Sequence, residues 1–229
     1  MKTICYVDGY NLFYGCLKHS DYKWLDLVHL IEQQILHSQS PQSKFIEVKF
    51  FTANIRAKLA SRGSLAEKSQ RDYHRALERL YPNKIKIING YYSTPKKEWM
   101  FDYVKPPNKE QRVPVWRMEE KQTDVNIAIE AYRDAAKGNA EHQVFISNDS
   151  DLEPALKAIR EDFSDIQIGL IMPVRYNNQS GNTKPHDNKR LSKHAHWTRR
   201  YIKEDELSAS QLPDKVSTKK KPIIKPEYW

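Results

Sequence analysis

The sequence predicts an α/β fold in which helices cover both faces of a mostly parallel sheet of about five strands. Two observations predict it. Short apolar runs alternate along the chain with amphipathic stretches of about ten or more residues, which suits right-handed crossovers between parallel strands. The chain of 229 residues, 39% hydrophobic and 11% aromatic, is also long and apolar enough to bury the core of one such domain.

The alternation is clear from the start of the chain. An apolar run at residues 4–7 stops at Asp8-Gly9, which indicates a buried strand that ends in a turn. Apolar residues at helical spacing follow, and two further apolar runs flank a longer amphipathic stretch. The predicted strands of this part lie at residues 4–7, 45–52 and 85–88, and the predicted helices at 12–17, 24–36 and 65–80.

Between residues 93 and 118 the alternation of helix and strand is interrupted. Four prolines lie in this stretch, which contains two short segments, 99–104 and 113–117, in which aromatic and polar residues alternate. This pattern predicts a β-ribbon that projects from the domain. A helix at 123–136, a strand at 144–147, a helix at 152–160 and a strand at 166–171 complete the prediction. The expected apolar face of the helix at 123–136 consists of Val125, Ile129, Tyr132 and Ala136.

The positive charge is concentrated near the end of the chain. The formal net charge is +9, and residues 175–229 hold 13 Lys and Arg against 6 Asp and Glu, whereas residues 1–174 hold 25 against 23. A basic protein favours a polyanionic partner such as a nucleic acid or an anionic membrane surface. The two cysteines exclude a disulfide framework, and no signal peptide or spanning segment is apparent, so we expect a cytoplasmic protein that does not bind membranes.

Acidic residues follow or begin several predicted elements. Asp8 ends the first strand, Asp124 lies in the first turn of a helix, and Asp149 and Asp151 follow the strand at 144–147. If the strands that precede Asp8 and Asp149 are neighbours, their carboxylates meet at one sheet edge, where ligands bind in such folds. Converging carboxylates repel one another, and Mg²⁺, which prefers oxygen ligands, relieves that repulsion. Together with a basic protein, this arrangement suggests phosphodiester hydrolysis.

Each acid also has a purely structural interpretation. Asp151 is suited to cap the helix that follows it, and Asp124 to interact favourably with its helix dipole. Asp8-Gly9 is compatible with an ordinary turn.

Three segments that contain these acids resemble the NYN-domain proteins, a branch of the PIN-like ribonuclease superfamily. They are YVDGYNLFYG at 6–15, EEKQTDVNIAIEAYRDA at 119–135 and VFISNDSDLEPALKAIRE at 144–161. The resemblance implies a PIN-like three-layer α/β/α sandwich, Mg²⁺ or Mn²⁺ as cofactor, and endonucleolytic cleavage of RNA. It implies that Asp8, Asp124 and Asp149 bind metal, with Asp151 as a fourth acid. Asn11 would join these acids as a catalytic residue.

The resemblance also suggests how the chain is organised. Residues 1–175 would form the NYN nuclease domain, with the ribbon at 93–118 as an insertion. Residues 176–229 would form a basic C-terminal extension that packs on this domain, because the closing KPEYW at 225–229 is also similar to the family.

Further residues are expected to bind the RNA substrate. Aromatic rings that stack bases, beside cations that contact phosphates, are typical of surfaces for single strands. The same aromatics could instead simply pack the ribbon onto the domain. The predicted substrate-binding residues are Ser147, Asn148, Trp99, Lys96, Lys97, Arg117, Arg175 and Lys184.

We therefore predict a metal-dependent endoribonuclease, a hydrolase that cleaves single-stranded RNA or structured loops with a metal-activated water. The main alternative is a non-catalytic RNA- or protein-binding module with the same fold, and a homodimer is compatible with either. A haloacid-dehalogenase-like phosphatase is disfavoured because Tyr10 stands where its second aspartate is required. No glycine-rich phosphate-binding motif is present.

Overall fold

A seven-stranded sheet forms the centre of the molecule. The computed structural model describes residues 1–93, 96–106, 108–117, 119–176 and 188–229. The strands are β1 (Lys2–Asp8), β2 (Lys44–Ala53), β3 (Ile85–Tyr92), β4 (Lys96–Phe101), β5 (Arg112–Arg117), β6 (Glu120–Lys121), β7 (His142–Ile146), β8 (Gln167–Ile171), β9 (Arg175–Tyr176), β10 (Trp197–Arg199), β11 (Ile202–Lys203), β12 (Lys215–Val216) and β13 (Ile223–Ile224).

Helices connect most strands of the sheet. Two of the helical stretches contain π-helical segments, at Phe13–Leu17 and Leu30–Leu36, and a 3₁₀ turn at Ser150–Leu152 precedes the sixth α-helix. The α-helices are α1 (Gly9–Leu12), α2 (Leu27–His29), α3 (His37–Gln39), α4 (Ser64–Leu80), α5 (Thr123–Ala136), α6 (Glu153–Asp162), α7 (Lys189–Ser192) and α8 (Glu204–Ala209).

The order of the strands in the sheet is β10-β8-β7-β1-β2-β3-β6. Neighbouring strands are parallel except for the pair of β3 and β6. The predicted α/β class and mostly parallel sheet are therefore confirmed, but the predicted count of about five strands was too low. The edge strands β6 and β10 were missed because runs of two or three residues are too short to show the periodicity of a strand.

Apolar side chains lie on both faces of the sheet, which makes the fold a three-layer sandwich. In β1, Cys5 and Val7 face a core built with α4 and the helical stretch at 27–39, whereas Ile4 and Tyr6 face a second core built with α5 and α6. A strand that is buried on both faces has a continuous run of apolar residues in the sequence, and residues 4–7 show this pattern.

The buried face of α5 differs from the predicted one. Val125, Ile129 and Tyr132 are exposed, and Ala136 is exposed as well. The inward-facing residues of this helix are Thr123, Ile127, Ala131, Asp134 and Ala135. The prediction was wrong because hydrophobic periodicity does not detect an inward face that contains small residues and a charged one. The negative charge of Asp134 on this face is compensated by the buried Lys49 of β2.

The remaining strands form three small pairs outside the central sheet. The strands β4 and β5 form an antiparallel ribbon, β9 pairs with β11, and β12 pairs with β13.

The C-terminal residue packs against aromatic side chains of the core. The centre of the Trp229 ring lies 5.6 Å from that of Tyr73 and 6.1 Å from that of Trp24. Within the described ranges, none of the helices is both long and apolar enough to cross a membrane.

Candidate metal centre

Three carboxylates from different parts of the chain meet at the carboxyl edge of the sheet. Asp8 ends β1, Asp124 is the second residue of α5, and Asp149 follows β7. One oxygen from each lies within 4.8 Å of the others. Because β1 and β7 are parallel neighbours, with Val7 opposite Ile146, the ends of both strands deliver their acids to the same place.

The chain turns sharply after Asp8. A Cβ at Gly9 would lie 2.6 Å from the carbonyl oxygen of Phe51, so only glycine allows the start of α1 to pass this close to β2. The Asp8 carboxylate caps α1 by accepting a hydrogen bond from the Asn11 N–H at 3.0 Å. The turn therefore holds the carboxylate at the edge of the sheet.

Two further hydrogen bonds orient Asp8. Its Oδ2 accepts from Asn11 Nδ2 at 2.6 Å and from Ser147 Oγ at 3.0 Å. Asn11 Oδ1 in turn accepts from the Asn148 N–H at 3.1 Å, so the loop after β7 is tied to α1. Asn11 and Ser147 thus serve here as groups that position Asp8.

Asp149 and Asp151 differ in placement. The Asp149 N–H donates to Ser147 Oγ at 3.0 Å, and Asp149 Oδ1 accepts from the Asp151 N–H at 2.9 Å, which caps the 3₁₀ turn. The capping acid is thus Asp149, not Asp151 as one interpretation of the sequence proposed. Asp151 is exposed and lies outside the group of three, and its role as a fourth acid stays a prediction.

The pKa values of two of the acids reflect their surroundings. Burial raises the pKa of Asp8 to about 6, against the lowering effect of its hydrogen bonds from Asn11 and Ser147. Burial also raises the pKa of Asp124 to about 6, and the charges of Asp149 and Asp8 add to this. The site therefore holds its negative charges at a cost in free energy that a bound cation would offset.

The set of donors suits a hard divalent cation. All three ligand candidates are carboxylate oxygens, close enough together to bind one ion. Asn148 Oδ1 is also buried, with no hydrogen-bond partner among the described residues, and it lies beside Asp149 in the chain. The residues present fit a metal ion.

The raised pKa values predict a pH dependence of stability. Because Asp8 has a pKa near 6 when folded and 3.8 in its ordinary state, the folded protein binds more protons between these values. Without metal, the contribution of Asp8 to stability should be largest below about pH 4 and should fall by about 3 kcal/mol as pH rises to about 6. Urea unfolding in EDTA measures this.

The control is the same titration with saturating Mg²⁺. A cation binds the ionised acids, so the difference between the two curves should grow as pH rises. The contributions of groups remote from the site are the same with and without Mg²⁺, so they cancel in the difference between the two curves. If this difference did not change between pH 4 and pH 7, the prediction would be contradicted.

Comparison with known proteins identifies the family. The profile of the NYN domain matches residues 2–180. The chain belongs to the NYN-domain family. The three converging acids lie in the three segments on which the resemblance was based, so the predicted family is confirmed.

This chain is similar to a bacterial enzyme and to a protein of known structure. The 6-hydroxy-3-succinoylpyridine 3-monooxygenase HspA of Pseudomonas putida (strain DSM 28022 / S16) is 40% identical over 244 aligned positions, which cover all of this chain and 75% of that protein. A crystal structure of a Vibrio parahaemolyticus protein of unknown function matches with a TM-score of 0.49 and 14% identity, over 89% of this chain and 94% of that one.

The structure adds residues to the site of this NYN domain that the sequence did not single out. Glu120 in β6 accepts a hydrogen bond from Thr123 Oγ1 and acts electrostatically on Asp124. Asn188 Nδ2 donates to the carbonyl oxygen of Asn148 at 3.0 Å. Glu120 lies in the segment at 119–135 that resembles the NYN family, and this resemblance could have indicated that it belongs to the site. The short strand β6 that positions Glu120 was not predicted.

The predicted substrate-binding residues are distributed over several places. Ser147 and Asn148 belong to the acidic site itself. Arg175 lies in β9, four residues after the carboxyl end of β8, and is half-buried. Trp99, Lys96, Lys97 and Arg117 all lie on the ribbon of β4 and β5, where Arg117 pairs with Glu98 and Glu119. Lys184 lies outside the described residues.

Proposed function

We propose that this NYN-domain protein is a Mg²⁺- or Mn²⁺-dependent endoribonuclease. The observation that carries the proposal is the convergence of Asp8, Asp124 and Asp149 within 4.8 Å in a chain of the NYN family. Here burial and mutual repulsion raise the pKa of two of them to about 6, which favours a role in binding a cation.

The protein's own residues would hold and orient the metal. Asp8, Asp124 and Asp149 supply ligand oxygens, while Asn11 and Ser147 fix the orientation of Asp8 through the hydrogen bonds described above. A bound divalent cation would polarise a phosphoryl oxygen and lower the pKa of water, which is the chemistry that hydrolysis of a phosphodiester needs. The expected products have 5′-phosphate and 3′-hydroxyl ends.

Charge supports RNA as the substrate. The acidic site occupies a part of the chain with nearly balanced charge, while residues 175–229 carry a surplus of seven positive charges. A nuclease requires this division, because negative groups bind the metal and positive groups bind the phosphates.

The proposal is tested with purified wild type and Asp149→Asn. We expect wild type to cleave single-stranded or looped RNA in Mg²⁺ or Mn²⁺, with EDTA abolishing cleavage and Asp149→Asn reducing its rate at least about 100-fold. Groups that merely orient a metal ligand already contribute about 10- to 100-fold, so a ligand should contribute at least as much. A time course of substrate loss measures the rate, and ligation of the cleavage products shows whether their ends are 5′-phosphates and 3′-hydroxyls.

Two results would contradict the proposal. Equal cleavage by wild type and Asp149→Asn would point to a contaminating nuclease. RNA binding without any turnover in either metal would instead support the alternative, a non-catalytic binding module.

A second candidate function rests on one observation, the 40% identity to a monooxygenase over the whole of this chain. On this proposal the protein would hydroxylate a substituted 6-hydroxypyridine. Incubating it with 6-hydroxy-3-succinoylpyridine, O₂ and NADH, with and without added flavin, tests this by chromatography of substrate and product. Turnover that persists in Asp149→Asn and in EDTA would separate this activity from the nuclease.

A further inference from the structure

The ribbon of β4 and β5 has two chemically different faces. Residues opposite each other in an antiparallel pair lie on the same face, and the faces alternate along each strand. The register pairs Lys97 with Trp116, Trp99 with Pro114 and Phe101 with Arg112. These six residues share one face, named here the aromatic face. The other face consists of Lys96, Glu98, Met100, Val113, Val115 and Arg117.

The rings of the aromatic face are open to solvent and lie beside cations. Trp99 is 58% exposed, Phe101 54% and Trp116 78%. Lys97 Nζ lies 5.2 Å from the centre of the Trp99 ring, and the Arg112 guanidinium lies 5.0 Å from that of Phe101. The alternative in which these aromatics pack the ribbon onto the domain is therefore wrong for all three rings.

The spacing of the rings suits a single strand of nucleic acid. Trp99 and Phe101 are two residues apart on one strand, which separates their Cβ atoms by about 6.7 Å. This is about twice the 3.4 Å rise between stacked bases, so a base can stack between or upon such rings. Every base has an aromatic face, so this kind of contact requires unpaired bases but no particular sequence.

The position of the ribbon connects it to the acidic site. The strand β4 begins soon after Tyr92, the last residue of β3, at the same edge of the sheet as the acids. Tyr92 contacts Tyr10, with the ring centres 6.0 Å apart, and Tyr10 lies on α1, which Asp8 caps. The other end of the ribbon leads into β6 and then to Asp124 in α5.

We propose that the aromatic face binds single-stranded RNA by stacking unpaired bases on Trp99, Phe101 and Trp116, beside the acids that cleave it. This inference rests on the proposed nuclease function and names the class of its substrate. The occupant is a polyanion because the described ribbon residues from 96 to 117 hold six Lys and Arg against three Asp and Glu. Two copies of this surface would repel each other.

The test compares two double variants of the full chain. Trp99→Ala with Trp116→Ala removes two rings of the aromatic face, whereas Met100→Ala with Val113→Ala removes apolar groups that are opposite each other on the other face. Binding of a labelled single-stranded RNA is measured by fluorescence anisotropy in EDTA, where metal-dependent cleavage is absent. Thermal unfolding checks that both variants are folded, as expected for exposed positions.

We expect the tryptophan variant to bind at least about fivefold more weakly for each ring removed, and the control variant to stay within about twofold of wild type. Wild type should also bind single-stranded RNA at least about 10-fold more tightly than a duplex of the same length. Equal affinities of all three proteins, or a preference for duplex, would overturn the inference. Self-association that only the tryptophan variant loses, without RNA binding, would assign the face to a second copy instead.

The two proposals can fail separately. Loss of RNA binding in the tryptophan variant while no protein cleaves RNA would uphold the aromatic face and refute the nuclease. If wild type cleaved RNA in a metal-dependent manner and the tryptophan variant bound RNA as tightly as wild type, the nuclease would be upheld and the role of the aromatic face refuted.

Discussion

Asp124→Asn is expected to abolish RNA cleavage and yet to make the metal-free protein more stable than wild type. The Asp124 carboxylate is half-buried near Asp8 and Asp149, and burial together with these charges raises its pKa to about 6. At pH 7.5 the wild type must keep this group ionised against their repulsion. The amide of the variant has the same shape as the carboxylate and removes the repulsion. Among the described residues, no hydrogen bond to the Asp124 carboxylate is lost by the change.

The expected gain is about 1 kcal/mol once solvent screening of a half-exposed group is allowed for. In a chain of this size it corresponds to a rise of about 2–4 °C in Tm in EDTA. Saturating Mg²⁺ should raise the Tm of wild type but not that of the variant, because only wild type keeps all three ligands. The rate of cleavage should fall at least about 100-fold.

The matched control is Asp165→Asn. Asp165 is exposed and precedes β8, so it lies at the opposite edge of the sheet from the acids. This change should leave both the response to Mg²⁺ and the cleavage rate within about twofold of wild type. If Asp124→Asn lowered the Tm in EDTA, or kept a response to Mg²⁺ equal to that of wild type, Asp124 would not be part of a metal site.

Much of the acidic site follows from topology alone. Asp8 and Asp149 could be placed together because parallel strands send their carboxyl ends to one edge, and the apolar runs before both residues were recognisable. Asp124 is different, since it reaches the site from the start of a helix. From the sequence pattern, Asp124 was as well suited to interact with the helix dipole as to bind a metal. Only the resemblance to NYN proteins linked it to Asp8 and Asp149.

Hydrogen bonds within the site were harder to predict. Asn11 was expected as a catalytic residue, and the structure shows it holding Asp8 and the loop after β7. Ser147 hydrogen-bonds both Asp8 and Asp149, which the sequence did not predict, and its expected contact with substrate stays a prediction. Periodicity locates backbone elements, but such bonds depend on side-chain positions set by tertiary packing, which a residue pattern does not contain.

The inward face of α5 shows the same limit in the core. Hydrophobic periodicity assumes that the most apolar side of a helix is buried, whereas Asp134 is buried here and Val125 and Ile129 are exposed. The charge on the inward side is compensated by Lys49 of β2, which is 4% exposed. No local pattern links residues so far apart in the sequence.

Lys49→Met is accordingly expected to cost about 3–5 kcal/mol of unfolding free energy, or roughly 10 °C in Tm. Lys49 Nζ donates to Asp134 Oδ2 at 2.6 Å and to Glu130 Oε2 at 2.9 Å, and the Tyr6 hydroxyl donates to Asp134 Oδ2 at 2.7 Å. Removing the lysine leaves Asp134 charged, buried and without its cation. Adding Asp134→Asn should recover part of the loss, because the uncompensated charge disappears.

Lys86→Met is the matched control, because Lys86 Nζ contacts the same Glu130 Oε2, at 3.3 Å, from a side chain that is 54% exposed. An exposed ion pair contributes little, so this change should cost less than about 1 kcal/mol. Equal losses in the two variants would contradict the role given to the buried pair. Asp134 lies about 15 Å along α5 from Asp124, and Lys49 forms its ion pairs with Glu47, Glu130 and Asp134, not with the three acids of the site. Cleavage by Lys49→Met well below its Tm should therefore match wild type, because this lysine stabilises the helix that carries Asp124 without acting on the acids themselves.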